Sequence, residues 1–199
     1  MSDTVILASG SAIRAQLLRN AGVSFDVVLP RVDEEAVRAS LGAELASPRD
    51  IADTLAEAKA RRVSHRHPTS VVIGCDQILD YKGQIFAKPT SPLDAINQLQ
   101  TLRGNTHTLL SAVVVYVAAE PVWRHVGQVS LTMRPLSDAY IQDYVSRNWD
   151  QVQHSVGAYK IEEEGARLFT RIEGDYFSIL GLPLTELLSY LILRGTLRA

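Results

Sequence analysis

Cysteine is nearly absent from this chain of 199 residues, whose single thiol is Cys75. One thiol excludes an internal disulfide, and no zinc-type ligand spacing accompanies it. Long hydrophobic runs are missing as well, since the longest, such as Ala112–Ala119, are far too short to span a bilayer. No basic region precedes an apolar stretch at the N-terminus. We therefore expect a cytoplasmic protein with no membrane partner.

An excess of charge of either sign is also missing, because the formal net charge is −2. Broad attraction to nucleic acid is therefore not expected, and any phosphate binding must be local. The chain lacks a Walker loop and a Gly-x-Ser-x-Gly elbow. It also lacks an Asp-x-Asp motif, which disfavours a phosphomonoesterase working through an aspartyl phosphate. Lysine is scarce among the cations, at four residues: Lys59, Lys82, Lys88 and Lys160.

The chain alternates short apolar runs with helical patterns, and its length suits one domain or two small lobes around a cleft. Strands are predicted at Val5–Ala8, Val71–Ile73, Ile78–Tyr81, Thr106–Val117 and Trp123–Met133. Lys82-Gly83 is typical of a hairpin turn, and a second turn is expected near Glu120-Pro121. The mixture of βα units with a long antiparallel pair predicts an α/β or α+β fold with a curved mixed sheet flanked by helices.

One helix is predicted to begin at Ser47-Pro48, because serine is a good N-cap and proline suits the first helical position. It should run to about Val63. Its apolar face is expected to carry Ile51, Leu55, Ala58 and Arg62.

The N-terminal strand turns through Ser9-Gly10-Ser11 into a helix whose first turn carries Arg14. Such a turn leaves backbone N–H groups pointing out of the helix start, beside two hydroxyls and a guanidinium. This arrangement favours an anion, and phosphate above all. The alternative is that Ser11 is only an ordinary N-cap.

Asp76 is expected at the carboxyl end of an apolar strand, where open α/β sheets place their ligands. A carboxylate there accepts a proton from water or holds a metal, although an aspartate in a turn is the alternative. Lys88 follows the hairpin, which could return it towards that strand end, or it is simply solvated. Glu34 and Lys59 lie in patterns that are not specific by themselves.

Cys75 is better explained as a small buried strand residue than as a nucleophile, because the sequence assigns it no histidine partner. His65 and His67 are in the same way better explained as surface residues at a helix end than as metal ligands.

Taken in order, these residues resemble the Maf family of nucleoside triphosphate pyrophosphatases over nearly the whole chain. The matching motifs are Leu7-Ala8-Ser9-Gly10-Ser11 with Arg14, Val32-Asp33-Glu34, Leu55-Ala56-Glu57-Ala58-Lys59-Ala60, Ile73-Gly74-Cys75-Asp76, Ala87-Lys88-Pro89, Leu102-Arg103-Gly104-Asn105-Thr106-His107, Gly157-Ala158-Tyr159, Ile172-Glu173-Gly174-Asp175-Tyr176 and Gly181-Leu182-Pro183-Leu184. No single motif is specific, but the ordered set is.

The resemblance implies a single domain over residues 1–199, with an elongated two-lobed fold similar to inosine triphosphate pyrophosphatases and an active cleft between the lobes. It implies hydrolysis between the α- and β-phosphates of a nucleoside triphosphate. Asp76 would be the general base, and Glu34 would hold Mg²⁺ or Mn²⁺. The phosphates would be bound by Ser9, Ser11, Arg14, Lys59 and Lys88. A homodimer is left open.

Gln77 and Glu162 resemble the residues of the family branch that acts on 7-methyl-GTP. The branch acting on thymidine and uridine triphosphates typically has threonine and glutamine at these two positions. A carboxylate suits a guanine edge and a base made cationic by methylation. Glu162 could instead be one of three exposed glutamates. Ala12 and Ile13 depart from the family's first motif, which puts one phosphate or base contact in doubt.

Two other functions stay open beside the 7-methyl-GTP pyrophosphatase. One is a pyrophosphatase of the same family that acts on thymidine and uridine triphosphates. The other is a non-catalytic, nucleotide-binding regulator of cell division and septum formation.

Overall fold

The computed structural model describes residues 4–43 and 46–198 and forms a mixed α/β fold around one seven-stranded sheet. The strands are β1 (Val5–Ala8), β2 (Asp26–Val27), β3 (Val71–Tyr81), β4 (Gln84–Phe86), β5 (Thr106–Val117), β6 (Glu120–Met133) and β7 (Phe169–Glu173). The helices are α1 (Ala12–Asn20), α2 (Glu34–Ala43), α3 (Pro48–Ser64), α4 (Pro92–Leu102), α5 (Asp138–Val152), α6 (Tyr176–Ile179) and α7 (Leu184–Leu193). The predicted fold class is confirmed.

The sheet has the strand order β2-β1-β3-β5-β6-β7, with β4 paired to β3 off this path. Strands β2, β1 and β3 run parallel, whereas the β3–β4 and β6–β7 pairs are antiparallel. All four residues of β1 are buried, as expected for a parallel strand covered on both faces. In the part of the chain that the structure describes, no helix has both the length and the apolar character to cross a membrane.

Strand β3 is longer than expected and corrects the predicted position of Asp76. The two runs predicted as Val71–Ile73 and Ile78–Tyr81 form one strand of eleven residues, so Asp76 lies inside a strand and not at its end. Its parallel partner β1 nevertheless stops early, because the last paired residues are Ala8 and Gly74. Asp76 therefore lies two residues beyond the end of β1, on a part of β3 that this neighbour leaves uncovered.

Both predicted hairpin turns exist, but the second is displaced. Lys82 and Gly83 join β3 to β4, and both have positive φ angles, of 53° and 84°. The turn between β5 and β6 is made by Ala118 and Ala119, with φ angles of 51° and 63°, and not by Glu120-Pro121. Two-residue hairpins of this kind need positive φ at both central residues to match the twist of the strands. Proline, whose φ is fixed near −65°, cannot occupy such a position.

The chain folds as two compact units. The first contains the residues up to 77, residues 110–127 and the residues from 175 onward. The second contains residues 78–109 and 128–174. Helices α1, α2, α3, α6 and α7 belong to the first unit, and α4 and α5 to the second. Of the residues predicted to carry function, all but Lys88 and Glu162 belong to the first unit.

Candidate functional site

A glycine on β3 allows α3 to pack directly against the strand. A Cβ atom added to Gly74 would collide with the carbonyl oxygen of Ala56 and lie 2.6 Å from the backbone nitrogen of Ala60. No other residue fits this position without moving the helix. The close approach places the turn of α3 that contains Lys59 beside the residues that follow Gly74 on the strand.

The buried face of α3 differs from the predicted one. Ala58 is only partly buried and Arg62 is exposed, so these two assignments are wrong. The residues that α3 buries are Ile51, Ala52, Leu55, Ala56, Lys59, Ala60, Val63 and Ser64. They follow the i, i+3, i+4 spacing of one helical face. Lys59 is thus a cation within a stripe that is otherwise apolar apart from Ser64.

Lys59 joins two carboxylates that are distant in the sequence. Its Nζ lies 2.6 Å from Oδ1 of Asp76 and 2.8 Å from Oε1 of Glu34. Lys59 is 7% exposed and Asp76 is 4% exposed, so this pair is largely removed from water. Glu34 begins helix α2 and also contacts Arg38 at 3.4 Å. The structure therefore brings together three of the residues predicted to carry the chemistry.

The second oxygen of Asp76 is unusual, because Oδ2 is buried and has no hydrogen-bond partner within the described residues. A buried polar atom without a partner is costly, and one found in a folded protein needs an explanation. Since Lys59 holds Oδ1 at 2.6 Å, the orientation of the carboxylate is fixed. An oxygen of this kind can accept a proton from water or bind a cation.

The turn after β1 is built as the sequence predicts. Ser11 is the N-cap of α1, and Oγ of Ser9 accepts a hydrogen bond from the Ser11 nitrogen at 3.2 Å. Arg14 donates from Nη1 to the Ser9 hydroxyl at 3.3 Å and to the Cys75 carbonyl at 3.0 Å. These bonds place the Ser9 hydroxyl and the Arg14 guanidinium against β3 at Cys75, the residue before Asp76.

Arg14 also depends on a glycine that sequence reasoning assigned no role. Its Nε donates to the carbonyl of Gly181 at 2.8 Å. Gly181 has a φ of +88°, and a Cβ there would lie 3.0 Å from Nε of Arg14. The signal was present, because Gly181 belongs to one of the resembling motifs. Arg14 thus ties α1 to the segment between α6 and α7.

Gln77, the last residue of this part of the first unit, follows Asp76 and is partly buried. Its Nε2 contacts Oγ of Ser111 at 2.9 Å and the carbonyls of Ser178 and Ile179 at 3.1 and 2.9 Å. The neighbouring Cys75 is fully buried, and burial raises the pKa of its thiol to about 11. The interpretation of Cys75 as a buried structural residue is confirmed.

The second unit contains the other two predicted site residues, Lys88 and Glu162, and both are exposed. Lys88 follows β4, and Glu162 lies in a turn after Tyr159. Oη of Tyr159 and Nε2 of His107 are joined by a hydrogen bond of 2.7 Å. This buried pair packs against the ring of Phe169, which lies 4.8 Å from the Tyr159 ring. The packing of this pair fixes the backbone at Tyr159, three residues before Glu162.

His107 should make the stability of the protein depend on pH. It is 2% exposed, and burial lowers its pKa to about 4. In the unfolded chain the pKa of a histidine is near 6.5. Between pH 6.5 and pH 4 the unfolded state therefore binds a proton that the folded state does not, and the stability of the fold decreases as the pH falls. The full effect is about 3 kcal/mol. Urea unfolding at pH 7 and pH 5 measures the part of this effect that falls in that interval, about 2 kcal/mol. The loss on acidification should be smaller in His107→Gln, and an equal loss in both proteins would contradict this prediction.

The chain is similar to known proteins over nearly its whole length. The sequence model of a family described as "Maf-like protein" matches residues 4–193. The "Nucleoside triphosphate pyrophosphatase" of Roseobacter denitrificans is 60% identical over 197 residues, and that of Ruegeria pomeroyi is 59% identical over 197 residues. The "7-methyl-GTP pyrophosphatase" of Rhizobium etli is 46% identical over 197 residues. In each case the match covers 99% of both chains.

Proposed function

Because the chain belongs to the Maf-like protein family, we propose that it is a nucleoside triphosphate pyrophosphatase with 7-methyl-GTP as its preferred substrate. The products are a nucleoside monophosphate and pyrophosphate. The names of the relatives from Roseobacter and Ruegeria support the reaction, and that of the relative from Rhizobium supports the substrate. The resemblance of Gln77 and Glu162 to the branch acting on 7-methyl-GTP is a second, separate argument for the substrate.

One observation carries the proposal, namely the buried Asp76 carboxylate, with one oxygen on Lys59 and the other without a hydrogen-bond partner among the residues that the structure describes. Hydrolysis of a phosphoanhydride needs a group that takes a proton from water and cations that balance the phosphate charge. Asp76 and Lys59 supply these two groups side by side. A salt bridge that served stability alone would leave the free oxygen unexplained.

In this mechanism, Oδ2 of Asp76 takes a proton from a water molecule as the water oxygen bonds to the α-phosphorus. The bond from the α-phosphorus to the oxygen that bridges the α- and β-phosphates breaks, and its electron pair leaves with pyrophosphate. Lys59 keeps the carboxylate in place and, with Arg14, offsets the negative charge of the phosphates. Ser9 and Ser11 donate to phosphate oxygens at the start of α1.

The residues present fit a divalent metal that the substrate helps to hold. Within residues 4–43 and 46–198, no group of three His, Cys, Asp or Glu side chains could hold a metal. Mg²⁺ is commonly bound through one or two carboxylates together with phosphate oxygens, and the Glu34 carboxylate, whose side chain is 40% exposed, suits this mode. When bound, the metal would neutralise phosphate charge and polarise the bond to be cleaved.

The proposed function is tested by pyrophosphate release from a panel of nucleoside triphosphates with Mg²⁺ or Mn²⁺. The panel includes 7-methyl-GTP, GTP, thymidine triphosphate and uridine triphosphate. We expect the highest kcat/KM for 7-methyl-GTP. Faster turnover of the thymidine or uridine compound would overturn the base assignment and leave the reaction standing. If the protein bound nucleotides but hydrolysed none of them, the enzyme hypothesis would be abandoned in favour of the non-catalytic regulator.

Glu34→Gln should weaken the dependence on metal without unfolding the protein. The amide keeps one oxygen but loses the charge that attracts Mg²⁺, so the metal concentration needed for half-maximal rate should rise by about 10-fold or more. A chelator should abolish turnover of the wild type. Glu35→Gln is the matched control, since Glu35 is an exposed neighbour on the same helix. An unchanged metal requirement in Glu34→Gln would remove Glu34 from the metal site, and full turnover in chelator would remove the metal itself.

A further inference from the structure

The side-chain amide of Gln77 is held by three acceptors at once. Its Nε2 lies 2.9 Å from Oγ of Ser111, 3.1 Å from the carbonyl oxygen of Ser178 and 2.9 Å from that of Ile179. A carboxamide nitrogen carries two protons and accepts none. The nitrogen end of this side chain is therefore fully occupied by the protein.

Which end of the Gln77 amide is nitrogen and which is oxygen follows from the neighbouring hydrogen bond between Ser111 and Ser178. Ser111 Oγ lies 2.6 Å from the carbonyl oxygen of Ser178, to which it can only donate. Its single proton is committed there, so the hydroxyl oxygen meets Gln77 as an acceptor. Turning the amide over would set Oε1 against three oxygen acceptors and take one donor away from each of them, which is strongly unfavourable. Oε1 therefore faces away from this cluster.

The acceptors are themselves held rigidly. Ser111 is fully buried and Ser178 is 2% exposed. The nitrogen of Ser178 donates to Oδ2 of Asp175, the N-cap of α6, at 2.7 Å. A Cβ added to Gly127 would collide with Oγ of Ser178 and lie 3.1 Å from its Cβ, so this glycine leaves room for the Ser178 side chain. The orientation of the Gln77 amide is therefore set by buried acceptors that are themselves held in place.

We propose that Ser111 is a positioning residue for substrate selection, because it makes Gln77 present a hydrogen-bond acceptor to the base. This inference rests on the proposed function. Within the described residues, no donor hydrogen-bonds to Oε1, so this oxygen is free to accept from the substrate. A guanine-type edge offers two donors, the N1–H and the exocyclic 2-amine, whereas a uracil or thymine edge offers only its N3–H.

The orientation is tested first by proton exchange, which needs no activity. We expect the Gln77 side-chain amide protons to exchange slowly in NMR spectra of the wild-type protein. Ser111→Ala should speed their exchange by about 5-fold or more, since it removes one acceptor. The matched control is Ser64→Ala, because Ser64 is also fully buried and its Oγ accepts from the Ala119 nitrogen at 3.2 Å. Exchange as fast as that of the exposed Gln128 would overturn the orientation.

Selectivity is tested with two substrates that differ only in the exocyclic amine, 7-methyl-GTP and 7-methyl-ITP. The wild type should prefer 7-methyl-GTP in kcat/KM. Ser111→Ala should reduce this preference by about 3- to 10-fold, the value of one hydrogen bond, with most of the change in KM. Ser64→Ala should keep the wild-type ratio even if it is equally destabilised.

The outcomes separate this inference from the proposed function. If the protein released pyrophosphate from none of the nucleotides, both the proposed function and the selectivity role of Ser111 would be overturned. The exchange rates would still decide the orientation of the Gln77 amide. An active enzyme whose ratio of kcat/KM values is the same in Ser111→Ala and the wild type would overturn the inference alone. A lower ratio in Ser111→Ala, with Ser64→Ala unchanged, supports it.

Discussion

Replacing Asp76 by asparagine should lower kcat for pyrophosphate release by about 100-fold or more, which is the lower range for a positioned general base. The amide can still accept a hydrogen bond from Lys59 through its oxygen, but the group at the position of Oδ2 becomes an NH₂ that cannot take a proton. Because shape and volume are conserved, the protein should stay folded. Initial rates at saturating 7-methyl-GTP, with circular dichroism as the folding check, measure the effect.

Asp80→Asn is the matched control for this prediction. Asp80 lies on the same strand, and its Oδ1 accepts from the Gly83 nitrogen at 2.9 Å, a bond that an asparagine oxygen also accepts. This variant should keep the wild-type rate. Near-wild-type activity in Asp76→Asn would show that another group takes the proton, and a large loss in Asp80→Asn would show that the strand tolerates no such change.

Lys59→Met should cost about 3 kcal/mol or more in the free energy of unfolding, because removing one partner of a buried pair leaves the other charge uncompensated. Methionine fits the apolar stripe of α3 in size, so the loss comes from the charges and not from a cavity. Asp76 would then lie buried with neither of its oxygens on a cation. Urea unfolding followed by circular dichroism gives the value.

Two further variants identify the cause of this loss. Lys160→Met removes an ion pair of 3.2 Å to Glu163, and such an exposed pair contributes only about 0–1 kcal/mol. Adding Glu34→Gln to Lys59→Met should recover part of the stability, since it removes one of the two carboxylates left facing each other. If Lys59→Met is no more costly than Lys160→Met, the buried cluster does not support the fold as described.

The local elements of this fold could be read from the sequence with few errors. The N-caps at Ser11 and Ser47, the proline that follows Ser47 and the Lys82-Gly83 turn all lie where they were expected. Each of these features is decided by contacts within about four residues, through backbone angles and capping hydrogen bonds. The ordered motifs likewise identified the family, which the match over residues 4–193 confirms.

Errors in the sequence reading began where the answer depended on a neighbour. Asp76 was expected at a strand end, but its own strand continues, and it is the neighbouring strand β1 whose pairing ends two residues before Asp76. The apolar face of α3 was assigned to Ile51, Leu55, Ala58 and Arg62, and the last two are wrong, since apolar spacing alone did not reveal that Lys59 is buried. Only the close contact at Gly74 fixes the face that α3 turns inward.

By itself, then, the sequence determined the elements, the family and the residues to consider, because these depend on short-range patterns. The tertiary structure alone decided their partners: the Lys59 bridge from Asp76 to Glu34, the bond from Arg14 to the Gly181 carbonyl and the three acceptors on Gln77. These contacts join residues from 17 to 167 positions apart in the chain. Their geometry is set by packing and by the need of buried polar groups for partners, which no local pattern specifies.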